Sequence, residues 1–498
     1  MIRTISLLGF VASATLIGAG AVYAVPGTQQ GPSSSQTPYL VRTTPGVVTK
    51  SVLTTGDSVD GYRMAGIPDG LGAFDNGDGT FTVLMNHELG STAGIVRAHG
   101  ARGSFVSRWT IQTGSLRVLN GQDQIQMLYV WNGSTWVVAT GDGGTTRLNR
   151  LCSADLPPVS AFYNAASGNG YNGRLFTNGE EGGTSGRSFG HVVATGDSYE
   201  LTPWLGNLSY ENVVAHPNTG DATVVVGLDD GDASVGQQVY VYRGTKQGTG
   251  NPVEKAGLRG GQLYGLNVLG VPQSEYQKTD WAVGDEFDFQ LVDVSAHAGN
   301  AGQLEADSQA GGVTNFQRPE DGAWDPQNPS DFYFVTTSSF GPLPAENRTG
   351  ETRLWRLRFD DPTDPGQGGT VTLLVSGPVG TSGDPNTPGP QMFDNITVAG
   401  GKVLLQEDVG NQPYLGGLWS YGISSGDLTE IAEHDSARFT PGVPGFLTQD
   451  EEASGIIPAP FLGEGKYLLD VQAHYTIAGE LVQGGQLLQM HVSPGRFN

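Results

Sequence analysis

A single cysteine, Cys152, in 498 residues excludes any disulfide within the chain, so nothing covalent staples the protein together. Basic residues are scarce: 26 Lys and Arg stand against 50 Asp and Glu. The formal charge of −24 argues against binding nucleic acid or anionic lipid through bulk electrostatics. Beyond residue 24 there is no second long apolar run, so no segment is expected to span a membrane. No long stretch repeats apolar residues at helical spacing. A glycine-rich phosphate loop opening a helix, a Gly-x-Ser-x-Gly elbow between strand and helix, and a paired-histidine zinc motif are all missing. Their absence removes the nucleotide-binding, α/β-hydrolase and zincin chemistries those motifs support.

What the chain has in quantity is glycine, 76 residues, about twice the usual share of ~7%. With 28 prolines these punctuate many short runs of alternating apolar and polar residues, the pattern of antiparallel strands joined by tight turns. An aromatic content of 9%, with Val, Leu and Ile spread throughout, supplies a core and excludes disorder despite the charge. The acidic excess reads either as solubility outside the cell or as a store of cation ligands.

Residues 1–24 read as a secretory signal: Arg3 provides the basic start, Ile5 to Gly20 an apolar run, and Val22-Tyr23-Ala24 the small residues a signal peptidase reads. Without a twin arginine, export is expected by the general Sec-type route, to a secreted or periplasmic location. The stretch 25–37, rich in Gly, Ser, Pro and Gln, is expected to be a flexible leader, and 38–498 a single domain.

That domain carries a degenerate repeat. Strand-rich runs end in acidic or polar clusters, several after an earlier acidic residue. They begin near Asp69 and end at Asn86-His87-Glu88; end at Glu180-Glu181; run from Glu211 to Asp229-Asp230; start at Glu320; run from Asp394 to Glu407-Asp408; and run from Glu451-Glu452 to Gln472-Ala473-His474. Four continue into an aromatic-bearing strand: FVSRWTI, QVYVYRG, RLWRLRF and LWSYGI. Strand, turn, acid-tipped strand, loop and aromatic strand is the logic of a propeller blade, which predicts an all-β, six-bladed β-propeller. At about 79 residues per unit it must carry long loop insertions, with 244–262 and 361–391 as candidates. In such a ring the acids at equivalent strand ends gather at one mouth of the central channel. Crowded carboxylates repel one another or take up protons unless cations are bound, and an oxygen-rich, histidine-poor set suits calcium. The competing reading is that acids merely favour turns, which accounts for Asp75-Asn76-Gly77 and Asp78-Gly79. Two readings of Cys152 also stand, an inert buried small residue or a metal-held thiolate. His87 is a candidate weak ligand or support for one, His474 a candidate for the same channel mouth, and Asn395, though in a glycosylation sequon, is expected to be structural.

In their order along the chain, LMNHE at 84–88, RLCSADLP at 150–157, Glu180-Glu181, YENVVAHP at 210–217 with Asp229-Asp230, RPEDGAWDP at 318–326, FDNITV at 393–398 and LQED at 405–408 resemble the PhoX-type alkaline phosphatase family. The resemblance implies a six-bladed propeller hydrolysing phosphomonoesters at an iron and calcium (Fe3+, Ca2+) cluster, with small-molecule phosphate esters as partners; a monomer is expected. It implies that Cys152 ligates iron, that Glu88, Glu181, Glu211 and Glu320 are metal-ligating carboxylates, with Asp230, Asp394, Asp408 and Glu452 as further calcium candidates, and that Arg318 clamps the substrate phosphate. A structural ion pair of Arg318 with Glu320 or Asp321 is the alternative. The chain departs from the family in the run SADLPPVSAFYN after the cysteine, in Gly179 where the family has a second cysteine, and in TQDEEASGI and LLDVQAHY near the C-terminus. Two other functions fit the same scaffold: a calcium-dependent phytase-like or lactonase-like hydrolase, and a non-catalytic calcium-binding extracellular propeller.

Overall fold

Six strands line the centre of the molecule: β1 (Pro68–Asp75), β2 (Leu151–Asp155), β3 (Tyr210–Ala215), β4 (Pro319–Trp324), β5 (Phe393–Ala399) and β6 (Glu451–Pro458). They pack side by side in chain order, and β6 returns to β1, so the ring is closed. This computed structural model describes residues 27–231, 237–275, 280–337, 351–378 and 388–497. The signal read at 1–24 lies outside them. Among the described residues no helix is long and apolar enough to cross a membrane.

Each inner strand forms an antiparallel pair with the strand that follows it outward. These second strands, Thr80–His87, Leu175–Glu180, Ala222–Asp229, Asp331–Thr336, Lys402–Glu407 and Lys466–Ile477, are the acid- or polar-tipped runs of the sequence. Segments such as TVVVGLD are buried along their length because neighbouring sheets cover both faces. The four aromatic-bearing runs are the third strands, pairing with the second in register. Their rings fill the clefts between sheets: Trp109 and Trp355 are fully buried. The result is a mostly β protein of propeller type.

Three features depart from the sequence reading. The stretch taken as a flexible leader is tied down from residue 27 onward: Thr28–Gln30 adds a parallel strand to Val47–Thr54. Val47–Thr54 itself pairs with the C-terminal Val482–Val492, and Leu40–Arg42 with Leu428–His434, so the N-terminal segment completes two sheets. The turn-rich composition of 25–37 disguised this, because edge strands of three residues leave no periodicity to read. Within 361–391, taken as a candidate insertion, Gly369–Ser376 is instead a core strand, while 379–387 lie outside the described residues. The main embellishment lies elsewhere: Glu286–Asp293 pairs with Gly369–Ser376 and fuses two units into one nine-stranded sheet running from β3 to β4. Helix Ala301–Gly311, capped by the Asn300 side chain, is the longest helix among the described residues and returns the chain to β4.

Candidate metal centre

The site is built from one local device repeated around the ring. Just before an inner strand the chain turns sharply. Ile67, Arg150, Arg318 and Met392 adopt left-handed φ values of 49°, 44°, 60° and 54°, a conformation uncommon for side chains other than glycine's. The carbonyls of Ile67, Arg150, Ser209, Arg318 and Met392 each accept a hydrogen bond, at 2.8–3.1 Å, from the amide that follows the second strand's tip, Glu88, Glu181, Asp230, Thr337 and Asp408. Asp450 accepts one at 2.9 Å from His474, inside the longer second strand of the sixth unit. Immediately after the turn, β1 to β5 each carry one residue more than their partner strand can match, a β-bulge. The bulges contain Asp69, Cys152, Glu211, Glu320 and Asp394. In β6 the register shift comes later, but its second residue is again an acid, Glu452.

Six ring residues and the tips of the second strands therefore meet. One cavity of about 250 Å3 is lined by Glu88, Cys152, Glu181, Glu211, Asp230, Glu320, Asp394, Asp408 and Glu452, together with Arg150 and Arg318. The cysteine and all eight carboxylates that the resemblance implied as metal ligands, and the implied clamp, lie on this wall; His87, the weak-ligand candidate, does not. Asp69, Glu88 and Cys152 place ligand atoms within 4.8 Å of one another, as do Cys152, Glu181 and Glu211, and Glu211, Glu320 and Asp394. Cys152 joins the first two groups and Glu211 the last two.

Within three acidic pairs, Glu180-Glu181, Asp229-Asp230 and Glu407-Asp408, the structure separates the cavity-facing member from its neighbour. Glu180 accepts from the Asn149 amide at 2.9 Å and is held by Arg187, Asp229 accepts from Ser209 at 2.8 Å, and Glu407 from Gln391 at 2.7 Å. These carboxylates fasten the turns. In the fourth unit, where the second strand ends in Thr336, Glu275 from the connecting segment does the same for Gln317 at 2.7 Å, itself neutralised by the buried Arg353.

The electrostatics are those of an overfilled acid store. Burial raises Glu211 to about 8 even though Ser153 Oγ donates to it at 2.6 Å. Burial raises Asp69, Glu181, Glu320 and Asp394 well above the carboxylate range, and neighbouring carboxylates push the same way. Asp408 rises to about 7 through burial and Glu452. The Cys152 thiol is also raised by burial and donates to Asp69 Oδ2 at 3.4 Å. One amide, Gln472 Nε2, spans Asp69, Glu88 and Glu452 at 2.9, 3.1 and 3.2 Å. Deeper in the channel, burial raises Asp155 and Asp321 to about 7 and about 6.

The two arginines are ion-paired. Arg318 donates through Nε and Nη2 to both oxygens of Asp230, at 2.8 and 2.7 Å, and Nη2 lies 3.1 Å from Glu320. Its nearest carboxylates are thus Asp230 and Glu320; Asp321, the other partner considered from the sequence, bonds Asn212 and the Gly322 amide instead. Arg150 bridges Glu88, at 2.7 Å, and Glu181. His87 corrects the sequence reading. Its ring turns into the sheet, Nδ1 against Gly66 O and Nε2 against Ser107 Oγ, stacks on Phe105, and is pushed down to about 3 by burial. His474 does face the cavity mouth. Burial alone would lower it, but Glu452, 3.7 Å away, and Gln483 outweigh that and carry it to about 10. Asn395 is fully buried and bonds Ser153 inside the ring. Asp69 and Gln472 entered the sequence reading only as ends of repeat units, and Arg150 only as the start of RLCSADLP; none was assigned a role at the site.

Gly179 shows why this chain lacks a side chain before its paired glutamates. A Cβ there would lie 2.3 Å from Tyr210 Cβ and 2.4 Å from Cγ. The Tyr210 ring cannot retreat, since its hydroxyl bonds Leu205 O and Gly206 O. Gly179→Cys is expected to destabilise the protein by roughly 1–3 kcal/mol or more, read as a lower urea midpoint at unchanged slope.

A closed ring of inner strands with acids at one mouth defines a propeller-type β protein with a buried acidic centre. The solved structure of PhoX from Pseudomonas fluorescens, in complex with vanadate as a transition-state analogue, superposes with a TM-score of 0.58 at 12% identity, covering 90% of this chain and 95% of that one. The fold is thus PhoX-like. Penicillium chrysogenum α-L-arabinanase with arabinobiose (TM-score 0.39, 10% identity, 91% and 99% covered) and Fusarium graminearum α-L-arabinofuranosidase (0.39, 8%, 85% and 92%) are more distant. No protein-family model matches the chain, and no curated protein does.

Proposed function

We propose that the chain is an exported, six-bladed propeller and a metal-dependent hydrolase of phosphomonoesters, its nine-stranded sheet being two fused blades. The observation that carries this reading is the ring itself: the second residue of all six inner strands is a carboxylate or the thiol. That set fits resident cations. Six to eight oxygens in flexible array suit calcium, and the one softer donor, Cys152, beside Glu181 and Glu211 suits iron. Glu211, Glu320 and Asp394 would hold a hard cation; Cys152, Glu181 and Glu211, or Asp69, Glu88 and Cys152, the iron. When bound, such ions polarise a phosphoryl group and offset charge on the attacking and leaving oxygens.

The chain's own residues do the positioning. Asp230 fixes the plane of the Arg318 guanidinium, whose planar fork suits phosphate oxygens. A second cavity of about 440 Å3, sharing Glu88, Arg150, Asp408 and Glu452 with the first, leaves room for the alcohol portion of an ester outside the ring. Purified mature protein supplied with calcium and iron should release phosphate from a chromogenic ester and be inhibited by vanadate. Arg318→Ala and Cys152→Ser should each lower kcat/KM by about 10- to 100-fold, and full activity in both would remove these residues from the mechanism. The all-oxygen group Glu211–Glu320–Asp394 also supports a calcium-only hydrolase. Elemental analysis showing calcium without iron, with turnover of phytate or a lactone, would favour that.

A further inference from the structure

Two guanidinium groups reach the acidic cavity, and they are not equally placed. Arg150 and Arg318 occupy the same position in their units, two residues before the ring residue and in the same left-handed turn. Each reaches back to the carboxylate at the tip of the preceding unit's second strand, Glu88 for Arg150 and Asp230 for Arg318. Arg318 is the more enclosed, its side chain 21% exposed, with both Asp230 oxygens taken up by its Nε–Nη2 edge. Arg150 is 47% exposed, although the carboxylates that hold it, Glu88 and Glu181, are only 7% and 14% exposed. They engage its Nε and Nη2, which fixes the guanidinium plane and leaves Nη1 to neither. Arg150 also lines both cavities, so it stands where the inner acidic chamber opens into the outer one.

That boundary is hostile to an anion. Glu88, Asp408, Asp450 and Glu452 line the outer cavity, and Arg150 is its one arginine. A phosphomonoester dianion passing inward meets four carboxylates there, and the cationic groups facing it are Arg150 and His474, whose ring is engaged by Glu452 and Gln483. We propose that Arg150 is a substrate-binding residue that anchors the phosphate group at the mouth of the chamber, opposite Arg318, so that the two equivalent turns of the ring supply a two-arginine clamp. This inference rests on the phosphatase reading. Glu88 and Glu181 act as positioning residues for it: a guanidinium pinned along one edge presents the rest of its fork without losing further side-chain freedom.

The test is calorimetric binding of inorganic phosphate to the full mature chain purified with calcium and iron, in wild type, Arg150→Gln and Arg150→Lys. Arg150→Gln should weaken phosphate about 10- to 100-fold, with metal content unchanged and KM for the ester rising more than kcat falls. Arg150→Lys, which keeps the charge but not the fork, should recover part of the loss. Unchanged phosphate affinity in Arg150→Gln overturns the inference, as does a loss that comes only with loss of bound metal, or a wild type that binds no phosphate. The phosphatase reading is judged separately, by ester turnover in the wild type: turnover with an unaffected Arg150→Gln leaves that reading standing without this residue.

Discussion

Stripped of divalent cations by a chelator, the protein should lose stability as pH rises from about 5 to 8, and added calcium should restore it most at the alkaline end. The sign follows from the direction of the carboxylate shifts. Asp69, Glu181, Glu211, Glu320, Asp394 and Asp408 all have folded-state values above those of an unfolded chain, with Glu211 at about 8 and Asp408 at about 7. As pH climbs through ~4, the unfolded chain releases these protons first and the folded protein still holds them. The folded state then binds more protons than the unfolded one, so the unfolding free energy falls with pH until the folded values are passed. Glu211 alone contributes a loss of a few kcal/mol, roughly 3–4, across that window. Bound cations stabilise the ionised form and add their own mass-action term, roughly 4 kcal/mol at a thousand times Kd. The melting temperature with calcium minus that with chelator should therefore widen from pH 5 to pH 8. Equal melting temperatures with and without calcium at every pH, or a chelated protein that gains stability with pH, would refute the crowded-acid account of the centre.

The parts of this centre that were legible in the sequence were those attached to long apolar strands. Glu88, Asp230 and Asp408 follow runs of buried residues whose strand character is plain, and FVSRWTI and RLWRLRF alternate clearly enough to place the third strands. The inner strands were harder. Their openings read Pro-Asp-Gly, Leu-Cys-Ser, Tyr-Glu-Asn, Pro-Glu-Asp, Phe-Asp-Asn and Glu-Glu-Ala, with nothing in common but a middle residue that is an acid or, once, the cysteine. A bulge is a property of hydrogen-bond register between two strands, and neither strand announces it alone. The second unit hid its inner strand altogether, because nineteen residues, 156–174, separate Leu151–Asp155 from Leu175–Glu180. Glu275 was unreadable for a different reason. It replaces the missing acid of the fourth unit from a segment some sixty residues before the tip at Thr336 that it stands in for, a contact only the folded chain reveals. Arg150 gave one signal that went unused: it precedes Cys152 by the same two residues that separate Arg318 from Glu320.

Glu211→Gln should be the most damaging single substitution in the centre, lowering kcat/KM by on the order of a thousandfold while leaving the fold intact. Glu211 belongs to two of the three groups of converging ligand atoms, so it is the one carboxylate common to the thiol-containing side and the all-oxygen side. Ser153 Oγ, donating at 2.6 Å and itself bonded by Asn395 Nδ2, fixes one oxygen and leaves the other to the cavity. The amide keeps the volume but removes the charge and half of the acceptor capacity, so the two sides no longer share a ligand. Several kcal/mol of transition-state charge stabilisation depend on cations in such a site, and each 1.36 kcal/mol is tenfold in rate. Stability should move the other way. With Glu211 removed from a set of mutually repelling buried acids, the chelated variant should melt at or above the chelated wild type near pH 8, while its response to calcium shrinks. Circular dichroism melts at pH 8 with and without calcium, set beside elemental analysis, separate the two effects. A Glu211→Gln variant that retains wild-type turnover and its full complement of metal would show that the ring closes around some other chemistry.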